Sequence, residues 1–285
     1  MMPNRPRGIL TLDVEDWEHA NYAQLVGQEA TVAASVRERR YAMDANTDRW
    51  VEILGRVGAK STCFVLGEFA ERYPEAVKRL KNAGHEIASH SYTHDLIYGM
   101  TREKFRENLN RSLGILGGLT GEAPKGFRAP SWSVSRAKTP WFCEELERAG
   151  LIYDSSEFPI RTPLFGEKGA SLLPYREGKI LRVPVTVLTL GPLRMPFASG
   201  AFFRLMPLWL IQYGLSKSAR AGNPPMIVLH PRELDPEHPR LPLKSWEGKI
   251  HYFALESTIP KLSQILGRFE WQTVIETIQP LLDTV

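Results

Sequence analysis

Cysteine is scarce in this chain: two residues in 285, Cys63 and Cys143, each set in an apolar stretch. Two thiols cannot build a disulfide framework, and both read as reduced core side chains. Long hydrophobic runs are missing too. No stretch of about 18 uncharged apolar residues occurs, so no spanning helix is indicated. Met1 to Arg7 is polar and proline-containing, with nothing like a signal peptide after it. Together these absences lead us to expect a reducing, cytoplasmic compartment. A strong excess of one charge is also lacking, since 36 Lys and Arg face 32 Asp and Glu for a net charge of +4. The tightest basic cluster, Arg37-Glu38-Arg39-Arg40, is interrupted by an acid. It reads as a solvated helix face and argues against nucleic acid as a partner. No internal repeat or low-complexity tract is visible.

Apolar residues make up 43% of the chain, enough for a large core. Short apolar runs alternate with amphipathic segments. Gly8 to Val14, Ser61 to Leu66, Glu86 to Ser89, Gly126 to Pro130, Ile180 to Leu188 and Pro225 to His230 read as strands or strand ends. Helices are expected within 21–57, from Tyr73 to Ala83, over 101–116, over 139–149 and from Ala254 to Phe269. This alternation predicts an α/β fold with a parallel sheet and outer helices, and at this length closure into a barrel. The stretch 201–211 is unusually apolar, but Arg204 and Pro207 argue against a spanning helix. A packed helix is the simpler reading there; a surface touching a membrane or a lipid-linked substrate is the other.

Chemistry in parallel α/β folds gathers at the carboxyl ends of strands. Asp13, His90, Arg128 and His230 all fall at such ends. His90 and His94 are four apart and can grip one metal from one face. The residues between them lack the glutamate of a zinc-protease helix. Asp13-Val14-Glu15-Asp16 puts three carboxylates beside a buried strand, where a divalent cation would offset them. Two histidines and one carboxylate form a known catalytic coordination set.

The ordered set Thr11-Leu12-Asp13, Gly84 to His94, Gly126-Phe127-Arg128-Ala129-Pro130 and Leu229-His230-Pro231 resembles the polysaccharide deacetylases. This is the NodB-homology or carbohydrate esterase 4 family. Asp13 to Trp17 and His230 to Asp235 look like its exopolysaccharide-associated branch. The resemblance covers roughly 8–235. It implies a distorted (β/α) barrel, usually of seven strands, in one catalytic domain with a C-terminal extension at about 236–285. It implies removal of N-acetyl groups from an amino-sugar glycan or a lipid-linked precursor, with Zn, or else Co or Ni, as the metal. His90 and His94 would hold that metal, and Asp13 would take the proton of the attacking water. A backbone N–H near Ser131 would help stabilise the oxyanion, His230 would protonate the leaving amine, and Arg128 would orient Asp13.

Some assignments stay open on sequence alone. Residues 13 and 15 share a face if the strand persists, which favours Glu15 as the metal carboxylate; a turn after Asp13 would bring Asp16 in instead. To act as an acid a histidine benefits from a carboxylate partner. For His230 that partner is expected to be Asp154, with Glu233 or Asp235 as rivals. Ser131 stands where the family usually has an aromatic, and the next residue, Trp132, either lines the sugar groove or only packs. The family's usual tryptophan is not evident around Tyr153 to Phe158. A small-amide or formamide hydrolase of the allantoinase kind, and a catalytically silent carbohydrate-binding protein, are the competing readings. An iron oxygenase would also use two histidines and a carboxylate, but the ordered motifs argue against it.

Overall fold

A computed structural model describes residues 5–19, 43–162, 165–240 and 246–283. The Arg37-Glu38-Arg39-Arg40 cluster and the 21–42 part of the expected helical region lie outside them. Strand β1 (Arg7–Val14) is the hub. It pairs in parallel with β2 (Thr62–Val65) on Thr11↔Thr62 through Val14↔Val65, and with β10 (Met226–Leu229) on Ile9↔Met226 through Leu12↔Leu229. From β2 the parallel ladder continues through β3 (Glu86–Ser89), β4 (Gly126–Phe127), β5 (Tyr153–Asp154) and β7 (Ile180–Arg182). β6 (Tyr175–Glu177) returns antiparallel on β7, and β8 (Leu188–Leu190) with β9 (Leu193–Met195) form a separate hairpin. β11 (Glu270–Gln272) pairs with the lower end of β1.

The expected seven-stranded closed barrel is therefore corrected. The sheet runs β10-β1-β2-β3-β4-β5-β7-β6, eight strands on an open path with β11 added at β1. The antiparallel return of β6 supplies the eighth strand. Prolines flank the seam: Pro184 follows β7 and Pro224-Pro225 precede β10, and proline offers no N–H to a ladder. The free edge of β10 is met by a side-chain bond, Met226 N–H to Thr186 Oγ1 at 2.8 Å, and by a backbone bond, Val228 N–H to the Ala198 carbonyl at 2.9 Å. The expected strand Ile180 to Leu188 is likewise broken, with pairing confined to β7 and β8.

Strand parity sorts the side chains. Leu10, Leu12 and Val14 face the outer helices in one apolar cluster, whereas Ile9 joins Phe64, Ala88, Tyr153 and Val228 in the curl's interior. Thr11 and Asp13 share the parity of Ile9 and point inward with them. The outer layer includes α1 (Asp44–Gly55), α2 (Gly67–Arg72), α3 (Pro74–Asn82), α4 (Arg102–Thr120) and α5 (Phe142–Arg148). Pro74 opens α3 at its first position, as expected of a residue whose N–H is not needed there. α4 is capped by Thr101, whose side chain accepts from Lys104 N–H at 3.2 Å. It runs past the expected Gly117-Gly118 stop and ends at Gly121, which takes φ 72°. Buried Glu145 on α5 clamps α4 through Arg102 and Arg106, both at 2.6 Å. Gly126 in β4 has a packing reason, since a Cβ there would lie 1.9 Å from the Tyr153 ring.

The apolar stretch 201–211 splits into α6 (Gly200–Leu205) and the start of α7 (Leu208–Arg220), interrupted at Met206-Pro207. No helix among the described residues is long and apolar enough to cross a membrane. α8 (Trp246–Tyr252) follows, and the expected helix over 254–269 is a short 3₁₀ turn and then α9 (Thr258–Leu266). α10 (Val274–Leu282) begins with a Thr273/Glu276 capping box and closes the lower end of the curl. Its Val274 N–H donates to Thr62 Oγ1 at 2.7 Å, and Val274 and Ile278 pack into the interior cluster. The opposite end, where the strands finish, holds the site.

Candidate metal centre

β1 ends at Val14, and a turn with Glu15 N–H donating to Asp13 O at 3.1 Å carries Glu15 inward beside Asp13. β3 delivers His90 from its carboxyl end, and the loop beyond it delivers His94. Ser91 between them takes φ 77°, a strained conformation for serine that its short bond to Asn108 helps hold. Ligand-capable atoms of Glu15, His90 and His94 all lie within 4.8 Å of one another. Glu15 Oε2 is 2.6 Å from His94 Nε2 and 3.9 Å from His90 Nε2.

These donors fit a divalent metal. His90 Nδ1 lies 2.8 Å from the Arg128 carbonyl oxygen, which fixes the ring and turns Nε2 toward Glu15. Burial pushes His90 down to about 4, so its imidazole is neutral and its lone pair is available. Burial alone would raise the Glu15 carboxyl, but His94, Arg232 and His230 outweigh it and hold the group well below the usual carboxylate range. Glu15 Oε2 is buried without an aligned hydrogen-bond partner despite the short approach of His94. Two imidazole nitrogens and one carboxylate oxygen converging in a buried space form a donor set that a divalent cation fits.

Asp16 does not join this cluster. It turns outward to Arg72 at 2.7 Å and accepts from the Trp17 N–H at 2.9 Å, while burial pushes its carboxyl up to about 6. The turn that begins at Asp13 brings the odd-numbered carboxylate inward and sends its neighbour out.

Asp13 sits beside the cluster, paired with Arg128 at 2.6 Å. Arg128 is fully buried and its donors are all directed: Nη1 to Thr11 Oγ1 at 2.9 Å, Nη2 to Ser155 Oγ at 3.0 Å and Nε to the Ser155 carbonyl at 3.2 Å. The guanidinium also lies over the Phe64 ring at 4.1 Å. His230, beyond β10, places Nε2 3.8 Å from Glu15 Oε1 and faces Glu233 through Nδ1 at 3.1 Å.

Asp154 is therefore not the partner of His230. It lies at the end of β5 and pairs with Arg182 at 2.9 Å and with Ser156, a structural pair formed where the sheet meets its edge. Asp235 instead engages Arg49 at 3.1 Å. Glu233 is the carboxylate that meets the histidine, because a 3₁₀ turn from Pro231 to Leu234 folds it back over His230.

One small cavity of about 80 Å³ is lined by Asp13, Glu15, His90, His94, His230, Ser131 and Trp132, among others. Ser131 and Trp132 both take left-handed backbone conformations, φ 49° and 47°. Trp132 packs against Phe158 and Phe165 at ring-centre distances of 4.9 and 5.1 Å, so it both packs and lines the opening.

Four charged or imidazole-bearing lining residues were not among the expected site residues. Arg232 forms an ion pair with Glu15, and His19 stacks on His94 at 5.4 Å while accepting from Asp16 N–H at 2.9 Å. Burial drives His19 down to about 3. Arg204 binds Glu233 at 3.0 Å and the His251 carbonyl at 3.0 Å. Proximity to His230 in sequence could have flagged Arg232; nothing local marks His19, Arg204 or His251.

Residues 39–151 match the polysaccharide deacetylase family model, and residues 155–279 match a family described as a domain of unknown function. The peptidoglycan-N-acetylglucosamine deacetylase of Bacillus cereus is 33% identical over 99 residues, covering 35% of this chain and 36% of that protein. The match thus spans about a third of that relative's length. An allantoinase structure superposes with a TM-score of 0.60 at 19% identity, covering 99% of this chain and 92% of the other. A family 4 carbohydrate esterase from Streptomyces lividans, solved with acetate, gives 0.51 at 16% identity, with 94% and 91% covered. At these identities the two structures establish a shared fold only. The 39–151 match includes His90, His94 and Arg128; Asp13, Glu15 and His230 are joined to them by the geometry.

Proposed function

We propose that this chain, whose residues 39–151 match the polysaccharide deacetylase family model, is a metal-dependent hydrolase of N-acetyl groups on an amino-sugar glycan or a lipid-linked sugar precursor. The observation that carries the reading is the grouping of Glu15, His90 and His94 within 4.8 Å beside two oriented acid–base pairs, Asp13 with Arg128 and His230 with Glu233. Zinc is the proposed metal, with cobalt or nickel able to use the same two nitrogens and one oxygen. The resemblance of the 13–17 and 230–235 runs supports the exopolysaccharide-associated branch.

When bound, a divalent cation supplies Lewis-acid polarisation of the acyl carbonyl. The remaining roles belong to the chain. Asp13, its carboxylate held by Arg128, accepts the proton of the attacking water. A backbone N–H of the strained Ser131 region assists the developing oxyanion. His230 presents Nε2 to the cavity while Glu233 holds Nδ1, so a proton at Nε2 passes to the amine nitrogen as the C–N bond breaks. The products are acetate and a free amino sugar. Exposed Leu205 and Trp209 support peripheral membrane contact by the 201–211 segment, which would suit a lipid-linked substrate.

The test is acetate release from N-acetylated oligosaccharides and lipid-linked sugars after chelation and re-addition of Zn²⁺, Co²⁺ or Ni²⁺. Metal-restored acetate supports the reading. Hydrolysis confined to formamides or other small amides would replace it with the amide-hydrolase alternative.

A further inference from the structure

The metal-side cavity does not stand alone. A trough of about 480 Å³ adjoins it, and Trp132 and Phe165 line both. Beyond these two rings the trough is bordered by Tyr98, Lys138, Arg161 and Lys168. Three cations face one lining acid, Glu167, so the wall carries a positive surplus. Lys138 sits 4.6 Å from the centre of the Tyr98 ring, and all three cationic residues are exposed. This surplus is local, because the chain as a whole is only mildly basic at +4. At the junction of the two spaces, Trp132 is 9% exposed and its buried indole N–H has no hydrogen-bond partner in the protein. A buried donor at a groove junction calls for an acceptor oxygen from outside.

We propose that this trough is a subsite for an anionic neighbour of the acylated sugar, with Lys138, Arg161 and Lys168 contacting its carboxylate or phosphate oxygens and Trp132 its ring. The inference rests on the deacetylase reading for which sugar occupies the metal side, and names the substrate class more narrowly. Two sources share the required chemistry: a uronate next in the glycan, or the phosphate of an activated or lipid-linked sugar. The aromatic pair gives a flat apolar surface for a sugar face, while the exposed cations reach the charge without burial cost. Exposed ion pairs are individually weak, so their contribution should appear as salt-sensitive selectivity more than as raw affinity.

The experiment is calorimetric titration of the full chain, with chelator present to prevent turnover. The probes are a hyaluronan tetrasaccharide, UDP-N-acetylglucosamine and neutral chitotetraose. The expected result is that at least one anionic probe binds about three- to tenfold more tightly than chitotetraose, the sum of two or three exposed ion pairs. Preference for the tetrasaccharide identifies a uronate, and preference for the nucleotide sugar identifies a phosphate. In K138A/R161A/K168A that advantage should disappear while chitotetraose binding is unchanged; these side chains are exposed, so the fold should survive. Equal binding of charged and neutral probes, an advantage that persists in the triple variant, or no binding of any probe would overturn the proposal. Because binding is read without turnover, a charge preference here together with no acetate release in the metal-restored assay would sink the deacetylase reading and leave the anionic subsite standing.

Discussion

Glu233 meets His230 twice: its Oε2 accepts the His230 backbone N–H at 3.0 Å and lies 3.1 Å from the ring Nδ1. One carboxylate thus fixes both the main chain and the imidazole. Burial opposes its charge, yet His230 and Arg204 hold its carboxyl down at about 2. For Glu233→Gln we expect kcat on the optimal substrate to fall about 10–100-fold with KM little changed, the range seen when an orienting partner is lost. Steady-state kinetics across substrate concentrations would check it, and a pure KM effect would contradict the orienting role.

Exchanging neighbouring carboxylates should separate ligand from bystander. Glu15→Ala should weaken zinc affinity by more than the about 10–100-fold typical of an outer partner. Asp16→Ala, which removes the pair with Arg72 and the acceptor of the Trp17 N–H, should leave zinc stoichiometry and affinity as in the parent. Competition with a chromogenic chelator measures both, and equal losses in the two variants would reject the separation.

Asp13→Asn keeps the side chain's shape but removes the proton acceptor. Activity should drop about 10²–10⁴-fold while the metal is retained. Arg128→Met should differ, because it strands Asp13 without its buried cation and destabilises the fold by about 3–5 kcal/mol. Metal analysis and denaturant unfolding of the two variants distinguish a chemical loss from a structural one.

A stability effect far from the site concerns Glu145, held at about 2 chiefly by its hydrogen bonds to Arg106 and Arg102, against burial. Its folded value is depressed below the ordinary 4.5. The stabilisation is therefore fully present above pH 4.5 and is lost as pH falls through about 2. Glu145→Gln should cost about 1.5–3 kcal/mol at neutral pH, discounted because both arginines are partly exposed, and should flatten the acid side of the stability curve. Urea midpoints measured from pH 7 down to about 2.5 would test that, and parallel curves for parent and variant would refute it.

Much of the site was legible because strand ends are legible. Apolar runs ending in Asp13, His90, Arg128 and His230 located four residues that the curled sheet brings together. The choice of Glu15 over Asp16 followed the parity of β1, although a turn rather than a continued strand delivers it. Asp154 was expected as the carboxylate partner of His230, but Arg182 on the neighbouring strand takes it. Glu233 was only a rival because its role depends on a 3₁₀ fold-back that spacing does not reveal. His19, Arg204 and His251 come from segments with no local mark, and only the packed structure brings them to the opening. The open seam was invisible for a different reason. Which strand edges stay unpaired depends on how the sheet curls, and spacing along the chain does not carry that.

β1 carries ladders to segments beginning at residues 62, 226 and 270, so its hydrogen bonds are written across nearly the whole chain. During synthesis the strand that bears Asp13 emerges first but must wait for β10 and β11 before its edges are satisfied. That interval leaves an apolar strand with open edges in a growing polypeptide, the condition under which mispairing and aggregation compete with folding. Expression yield should therefore respond to translation speed and chaperone supply more than the stability of the finished protein would suggest.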